Sequence, residues 1–396
     1  MLNCFFGYAF IWIFILILYA CGFSQFNNHL DFGLVLFIIS TIVISLILGF
    51  YNKNKFKYQP YAKNPGRLPI LIISIGFILN FIYARSIPFL NIVKGSAGYG
   101  DFEGIPLVYV FIVGISYYYG INYFNAFLNL ENNKKQNLLY FIIINIFYLL
   151  CFSRSMILFL LGGAFILYMQ KRRYDSKHLF KNKKVKIITI IFVMFVALYS
   201  FGALGNIRSG YKFNDNSYIE RIGLYNNSFP KFLPKQFMWS YSYLTTPLAN
   251  LNYNVVKYKN NNNNSFNYRG VTSELINRTF SKRLFPDLFH NMTEEDFGFD
   301  LIRTYFNAAT GYCMMFRYGG YIGIWLEYIV LIIITLIQLS LLKKDYNKDK
   351  ANGTFIILFI VNTLMFFYNT LNTTTMAWWM LVNFVALLPK IKIKWR

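Results

Sequence analysis

The sequence predicts an all-α, polytopic membrane protein with about ten spans and one large hydrophilic loop on the outer side. Hydrophobic residues make up 56% of the 396 residues and charged residues only 14%, so apolar spans are sought before any water-soluble core. Short lysine- and arginine-rich connections alternate with the apolar segments. One connection, from Gly205 to about Tyr305, is far longer than the others. Together these observations predict the fold class.

Most spans follow directly from length and hydropathy, because a helix needs about 20 apolar residues to cross about 30 Å of hydrocarbon. The clear candidates are residues 5–22, 32–50, 68–90, 105–128, 187–204, 321–342, 353–371 and 375–389.

The basic residues predict the direction of each span. They cluster in Lys53–Arg67, Lys134–Lys135, Lys171–Lys186, Lys343–Lys350 and Lys390–Arg396. An excess of lysine and arginine marks cytoplasmic loops, so all these clusters and both termini are expected in the cytoplasm. The net charge of +23 therefore reflects topology, and we expect no nucleic-acid partner.

The stretch Leu138–Met169 joins two cytoplasmic clusters, so it must cross the membrane an even number of times. A helical hairpin that turns at Ser153-Arg154-Ser155 satisfies this requirement, whereas a single long tilted helix would reverse the side of every later loop. The hairpin defines an N-terminal membrane region at 1–204 with about seven helices. A periplasmic loop at 205–305 and a C-terminal membrane region at 306–396 with about three helices follow.

The outer loop combines aromatic and basic residues. Trp239, Tyr241 and Tyr243 follow Lys231 and Lys235 within a short stretch. This composition suits a segment that lies at the membrane interface with its apolar side down. Two interpretations stay open: a lid that only closes the fold, and a lid over an anionic lipid headgroup.

Charged residues at membrane depth are costly and usually functional. The candidates are Arg85, Arg154, Arg208, Arg317 and Glu327. Arginines that converge at one depth repel one another unless an anion lies among them, and a diphosphate suits their planar, bidentate hydrogen bonding. The alternative is local pairing, for instance of Arg317 with Glu327 or of Arg303 with Asp300.

Two residues are candidates for a catalytic base. His290 is the only histidine of the outer loop, and imidazole is a natural base near neutral pH, although a loop histidine is often only a surface residue. Glu327 is the other candidate. Four acids close behind His290 are alternative bases: Glu294, Glu295, Asp296 and Asp300.

The sequence contains no nucleotide-binding fingerprint, no HExxH and no paired cysteines. We therefore expect no nucleotide, metal or other cofactor.

Three motifs resemble the oligosaccharide repeat-unit polymerases of the O-antigen polymerase (Wzy-type) family. They are Cys151-Phe152-Ser153-Arg154-Ser155, Gly205-Asn206-Ile207-Arg208-Ser209-Gly210, and the segment from Tyr305-Phe306-Asn307-Ala308-Ala309-Thr310 through Arg317-Tyr318-Gly319-Gly320-Tyr321-Ile322-Gly323. The chain departs from the family where Arg317 precedes Tyr318-Gly319, since an aspartate is frequent there. His290-Asn291 also resembles the related O-antigen ligases.

The resemblance implies a glycosyltransferase of the bacterial inner membrane. It would polymerise undecaprenyl-diphosphate-linked repeat units into O-antigen or capsular polysaccharide at the periplasmic face, in the lipid bilayer, with a chain-length regulator protein as a further partner. Arginines would stabilise the diphosphate leaving group, and a loop base would activate the acceptor hydroxyl. The alternatives are an O-antigen ligase and a lipid-linked oligosaccharide flippase or other transporter.

Overall fold

A computed structural model describes residues 3–93, 102, 104–175, 183–225, 229–259, 266–276, 298–342 and 345–389. Within these ranges the chain forms fourteen α-helices and no strand, which confirms the all-α prediction for them. The helices are α1 (Cys4–Ala20), α2 (Phe32–Asn52), α3 (Leu68–Ala84), α4 (Pro88–Val93), α5 (Val108–Asn129), α6 (Lys134–Leu150), α7 (Arg154–Tyr174), α8 (Lys183–Arg208), α9 (Ser217–Ile222), α10 (Phe237–Lys259), α11 (Tyr268–Ile276), α12 (Tyr312–Leu341), α13 (Ala351–Leu364) and α14 (Thr374–Leu387).

The lysine-rich connections meet at one end of the helix bundle. The Tyr58 hydroxyl donates to the Asn129 side chain at 2.8 Å, and its ring lies 5.4 Å from that of Tyr174. The backbone N–H of Gln59 donates to the Asn352 side chain at 3.0 Å. The connections after α2, α5, α7 and α12 are therefore neighbours, and we call this the lysine-rich end.

Several helices expose long apolar faces. On α2, Leu36, Ile39, Val43, Ile47 and Phe50 follow one another at helical spacing, and each is at least 48% exposed. A continuous face of this kind is costly in water. Among the described residues, two helical stretches are long and apolar enough to cross a membrane, Phe32–Phe56 and Tyr312–Leu341. Three shorter apolar helices in the same part of the chain lie at Cys4–Ala20, Leu68–Ala84 and Thr375–Leu387.

Two of the expected apolar segments are interrupted. The segment 68–90 breaks at Arg85, whose backbone is left-handed with φ of 48°, before α4 begins. The segment 353–371 is helical only to Leu364. Further on, the Asn369 side chain accepts from the backbone N–H groups of Leu371 and Asn372 and holds a turn. A turn at 151–153 separates α6 from α7, where the sequence predicts the turn of a hairpin.

Gly320 divides α12 into two halves that fold back on each other. Its backbone angles, φ 55° and ψ −143°, are outside the helical region. Phe37 packs against both Tyr312, at a ring distance of 4.9 Å, and Trp325, at 5.1 Å. In a straight helix the Cα atoms of Tyr312 and Trp325 would lie about 20 Å apart along the axis. The halves therefore form an antiparallel hairpin, with Tyr312 at the level of Trp325.

The packing of the α12 hairpin predicts that a substitution at Gly323 destabilises the protein. A Cβ at this position would collide with the backbone carbonyl oxygen of Met315 in the other half, so Gly323→Ala should separate the halves and lower the thermal unfolding temperature in detergent. Gly162→Ala in α7 is the matched control, because no atom lies within 4 Å of its added Cβ. There the change should be neutral or stabilising by about 0.5–1 kcal/mol. Equal unfolding temperatures for the two variants would contradict the hairpin packing.

Candidate active site

The helix α11 carries a carboxylate into the interior of the bundle. It runs antiparallel to the first half of α12: the backbone N–H of Asn267 donates to the Tyr318 carbonyl at 2.8 Å. Gly270 lies directly against the Tyr318 ring, where a Cβ would collide. This close approach allows the helix to pack tightly, and one turn further on Glu274 is buried, with 1% of its surface exposed.

Two non-helical segments meet at the depth of Glu274. Residues 306–311 lead into α12, and residues 365–373 join α13 to α14. They are joined by the backbone N–H of Gly311, which donates to the Met365 carbonyl at 2.8 Å. Non-helical backbone groups inside a bundle need such partners, so their meeting creates a polar region among apolar helices.

α10 holds the first of these segments in place through two buried asparagines. The Asn250 amide donates to the carbonyls of Phe306 and Ala308 at 2.9 and 2.7 Å, and its oxygen accepts from the Ile302 N–H at 3.0 Å. One turn later, Asn254 exchanges two hydrogen bonds with the backbone of Asp300. The segment 300–308 is thus fixed on α10 by side-chain amides that replace backbone partners.

A cavity of about 530 Å³ lies between these elements, and we call it the Glu274 cavity. Its polar lining residues are Glu274, Asn307, Thr310, Asn369, Asn372 and Thr373. Phe299, Phe367 and Tyr368 contribute aromatic rings. Amides and hydroxyls can both donate and accept hydrogen bonds, as sugar hydroxyls do, so the wall suits a polyhydroxylated ligand.

Glu274 is held by two amides of the α13–α14 connection. Asn369 and Asn372 donate to its Oε2 at 3.1 and 2.6 Å. The Asn369 oxygen is itself fixed by the backbone N–H groups of Leu371 and Asn372. A carboxylate that is oriented in this way beside a cavity can take a proton from a bound hydroxyl.

Thr310 and Glu327 contain buried polar atoms whose hydrogen bonding is incomplete. Oγ1 of Thr310, in the cavity wall, and both carboxyl oxygens of Glu327 have no hydrogen-bond partner among the described residues. Glu327 is on the second half of α12 and does not line the Glu274 cavity. The pairing of Glu327 with Arg317 that the sequence leaves open is therefore not formed.

Arg317 lies beside an acidic group. Its guanidinium is 5.7 Å from the centre of the Tyr258 ring, and the Tyr258 hydroxyl donates to Asp300 at 2.6 Å. Asp300 pairs with Lys257 at 2.9 Å instead of with Arg303. Burial alone would raise the pKa of Asp300, but hydrogen bonds from Tyr258 and Lys257, with the charges of Lys257 and Arg317, lower it below its ordinary value.

The other predicted arginines are not brought together by any contact of the described residues. Arg85 is exposed at the end of α3. Arg154 begins α7, which packs on α5, α6 and α13, and Arg208 ends α8, which packs on α10. The side chains of Arg154 and Arg208, and the whole of His290, lie outside the described part of the chain.

The aromatic residues that the sequence places in the outer loop pack against the rest of the bundle. Trp239 and Tyr241 are buried, with 7% and 6% of their surface exposed. Their polar ends explain this, because the Trp239 indole donates to the Asn206 side chain at 2.7 Å and the Tyr241 hydroxyl to the Leu18 carbonyl at 3.0 Å. These hydrogen bonds pack this part of α10 against α8 and the end of α1.

No known protein family, characterised protein or solved structure matches this chain closely enough to assign it. The geometry of the Glu274 cavity is therefore the main guide to function. Sequence reasoning missed Glu274, although Gly270 lies four residues before it and therefore places a small residue on the same helix face. That pattern signals a helix whose polar face packs closely against another chain segment.

Proposed function

We propose that the protein is a membrane-embedded glycosyltransferase that polymerises polyprenyl-diphosphate-linked oligosaccharide units. The observation that carries the proposal is the buried carboxylate of Glu274 in a cavity lined by amides, hydroxyls and aromatic rings. Such a cavity offers one base and many hydrogen-bonding partners for sugar hydroxyls. The resemblance to the O-antigen polymerases favours the same activity.

A membrane location is supported by the surface of the bundle. The exposed apolar faces, such as that of α2, suit contact with lipid chains. The basic connections gather at the lysine-rich end, as expected for a cytoplasmic side. The Glu274 cavity is built by the segments that join helices at the opposite end. We therefore propose about ten spans in a bacterial inner membrane, both termini in the cytoplasm, and chemistry on the periplasmic side.

An apolar groove next to the Glu274 cavity supports a lipid-linked substrate. It has a volume of about 440 Å³ and is formed by Ile334 and Ile337 of α12, Met380 and Leu381 of α14, and their neighbours. The groove begins at Leu275 and Leu371, which directly adjoin Glu274 and Asn372 in the sequence. A substrate with a polar head and an isoprenoid tail matches this arrangement of a polar cavity beside an apolar groove.

The proposed reaction needs no nucleotide. The acceptor hydroxyl oxygen attacks the anomeric carbon of the donor sugar while the bond from that carbon to the diphosphate breaks. The hydroxyl proton passes to Glu274, and the bonding electron pair leaves with the polyprenyl diphosphate. The negative charge of this leaving group requires cations, for which Arg85, Arg154, Arg208 and Arg317 remain our candidates.

Reconstitution tests the function directly. We expect the purified protein in proteoliposomes to convert polyprenyl-diphosphate-linked repeat units into a ladder of longer products on a gel, without nucleotide. The three candidate activities give different results. A flippase would only move the units across the bilayer, and a ligase would require lipid A core as acceptor. Absence of a ladder with folded protein that is inserted in the bilayer would contradict the polymerase proposal.

A further inference from the structure

A second and larger cavity lies on the other side of the segment 300–308. It has a volume of about 1290 Å³ and is bounded by the end of α1, the α1–α2 connection, α10, and residues 302–303. Tyr19, Asn27, His29, Asn252, Tyr253 and Arg303 are among its lining residues. We call it the Asn252 cavity. Its volume is more than twice the 530 Å³ of the Glu274 cavity.

The chemistry of the Asn252 cavity suits a glycan. Gln25, Asn27, Asn28 and Asn252 place four side-chain amides on the wall, next to the rings of Tyr19, Phe26 and Tyr253. Amides match hydroxyls because both groups donate and accept, and rings and aliphatic side chains suit the apolar faces of sugars. None of the described lining residues is acidic.

The amide of Asn27 is held in the wall through its Nδ2 group. Oδ1 of Asn27 is buried and has no hydrogen-bond partner among the described residues, while its Nδ2 donates to the Tyr19 carbonyl at 3.0 Å. An acyl chain in the cavity would displace water from the amides that line it without replacing the hydrogen bonds, which disfavours a lipid as the occupant.

The wall is held in position by hydrogen bonds from α10. Asn252 accepts from the Asp31 N–H at 2.8 Å and donates to the His29 carbonyl at 3.0 Å, which fixes the α1–α2 connection. Lys259 pairs with Asp31 at 2.8 Å. Burial alone would raise the pKa of Asp31, but its bonds with Lys259 and Tyr321 hold it below the ordinary value. A wall fixed in this way costs little to order when a ligand binds.

The two cavities share the segment between them. Ile302 and Arg303 line the Asn252 cavity, whereas Asn307 and Thr310 line the Glu274 cavity a few residues later. A chain of sugars held in the first cavity would therefore lie next to the segment that forms the wall of the second.

We infer that the Asn252 cavity is a second saccharide site, which binds the oligosaccharide portion of a substrate apart from its reacting sugar. That the ligand is a repeat unit or growing chain rests on the proposed function. The binding of a free oligosaccharide in this cavity does not depend on Glu274.

The test measures the binding of an oligosaccharide without lipid or diphosphate. The probe is the repeat-unit oligosaccharide released by mild acid from the host's own polyprenyl carrier, titrated into the purified full-length protein by calorimetry. Tyr253→Ala combined with Arg303→Ala removes an exposed ring and an exposed cation from the wall. Tyr61→Ala combined with Arg67→Ala is the matched control, because both residues are exposed and line neither cavity.

We expect the wall variant to weaken oligosaccharide binding about tenfold or more, and the control to bind like the wild type. No binding by the wild type, or equal binding by the two double variants, would overturn the inference. Glu274→Gln should still bind the probe. If that variant also kept full polymerising activity, the catalytic assignment would fail while the saccharide site stood.

Discussion

Glu274→Gln should abolish polymer and leave only single-repeat products, while the protein still folds and inserts. Glutamine has nearly the same shape and retains an oxygen to accept from Asn369 and Asn372, so the cavity should persist. It cannot take up the proton of the acceptor hydroxyl, and general-base catalysis contributes about 10²–10⁴-fold to rate. The measurement is the polysaccharide ladder of cells whose own copy is deleted, with protein amount checked by immunoblot.

The same chemical change at Glu327 distinguishes the role of this carboxylate from that of Glu274. Because Glu327 lines neither cavity, this variant should form polymer normally, as should Glu220→Gln, which alters an exposed partner of Lys235. A normal ladder from Glu274→Gln together with a lost ladder from Glu327→Gln would transfer the role of base to Glu327. Loss in both variants would mean that catalysis needs the pair.

The helices could be predicted because hydropathy and charge are local properties of the sequence. The segment 5–22 corresponds to α1 and 105–128 to α5, each within a few residues. The break between α6 and α7 could also be predicted, because the span between two basic clusters is too long for one helix and contains Ser153 and Arg154. These inferences need no knowledge of which helices touch.

The site was harder to predict from the sequence, because contacts between residues far apart in the chain create it. The sequence indicates a span that begins at 321, and Gly319-Gly320 marks the break before it. It does not indicate that residues 312–319 form a helix antiparallel to that span, since this depends on the contacts of Phe37 with both halves. Glu274 becomes significant only when α11 packs against this helix.

The role of the polar residues of α10 could not be predicted from the sequence either. Asn250 and Asn254 could equally belong to an exposed helix of a hydrophilic loop. Their partners are backbone groups of residues 300–308, about fifty positions later in the chain, and no local pattern predicts such pairs. The predicted arginine cluster has the same difficulty, because its members are on α3, α7, α8 and α12.

Asn250→Leu should release the segment 300–308 and abolish polymer, although Asn250 lines neither cavity. The substitution removes the partner of the buried Phe306 carbonyl and of two partly buried groups, the Ala308 carbonyl and the Ile302 N–H. Each such group costs about 1–3 kcal/mol, which exceeds the usual effect of a surface change. We expect a lower unfolding temperature in detergent and a lost ladder. Asn145→Leu on α6 is the matched control, because the Asn145 amide donates only to the carbonyl of Phe141 in its own helix.

The labelling rate of Cys313 can show whether Asn250→Leu loses polymer because the wall of the Glu274 cavity opens locally. Only 1% of the surface of Cys313 is exposed, and it lines the Glu274 cavity. With Cys4, Cys21 and Cys151 replaced by alanine, a maleimide should label Cys313 faster in Asn250→Leu than in Asn145→Leu, at temperatures below unfolding. Equal labelling rates with a lost ladder would mean that Asn250 acts by another route than positioning the cavity wall. Faster labelling would instead link activity to the hydrogen bonds that α10 makes with the segment between the two cavities, since these are the contacts the substitution removes.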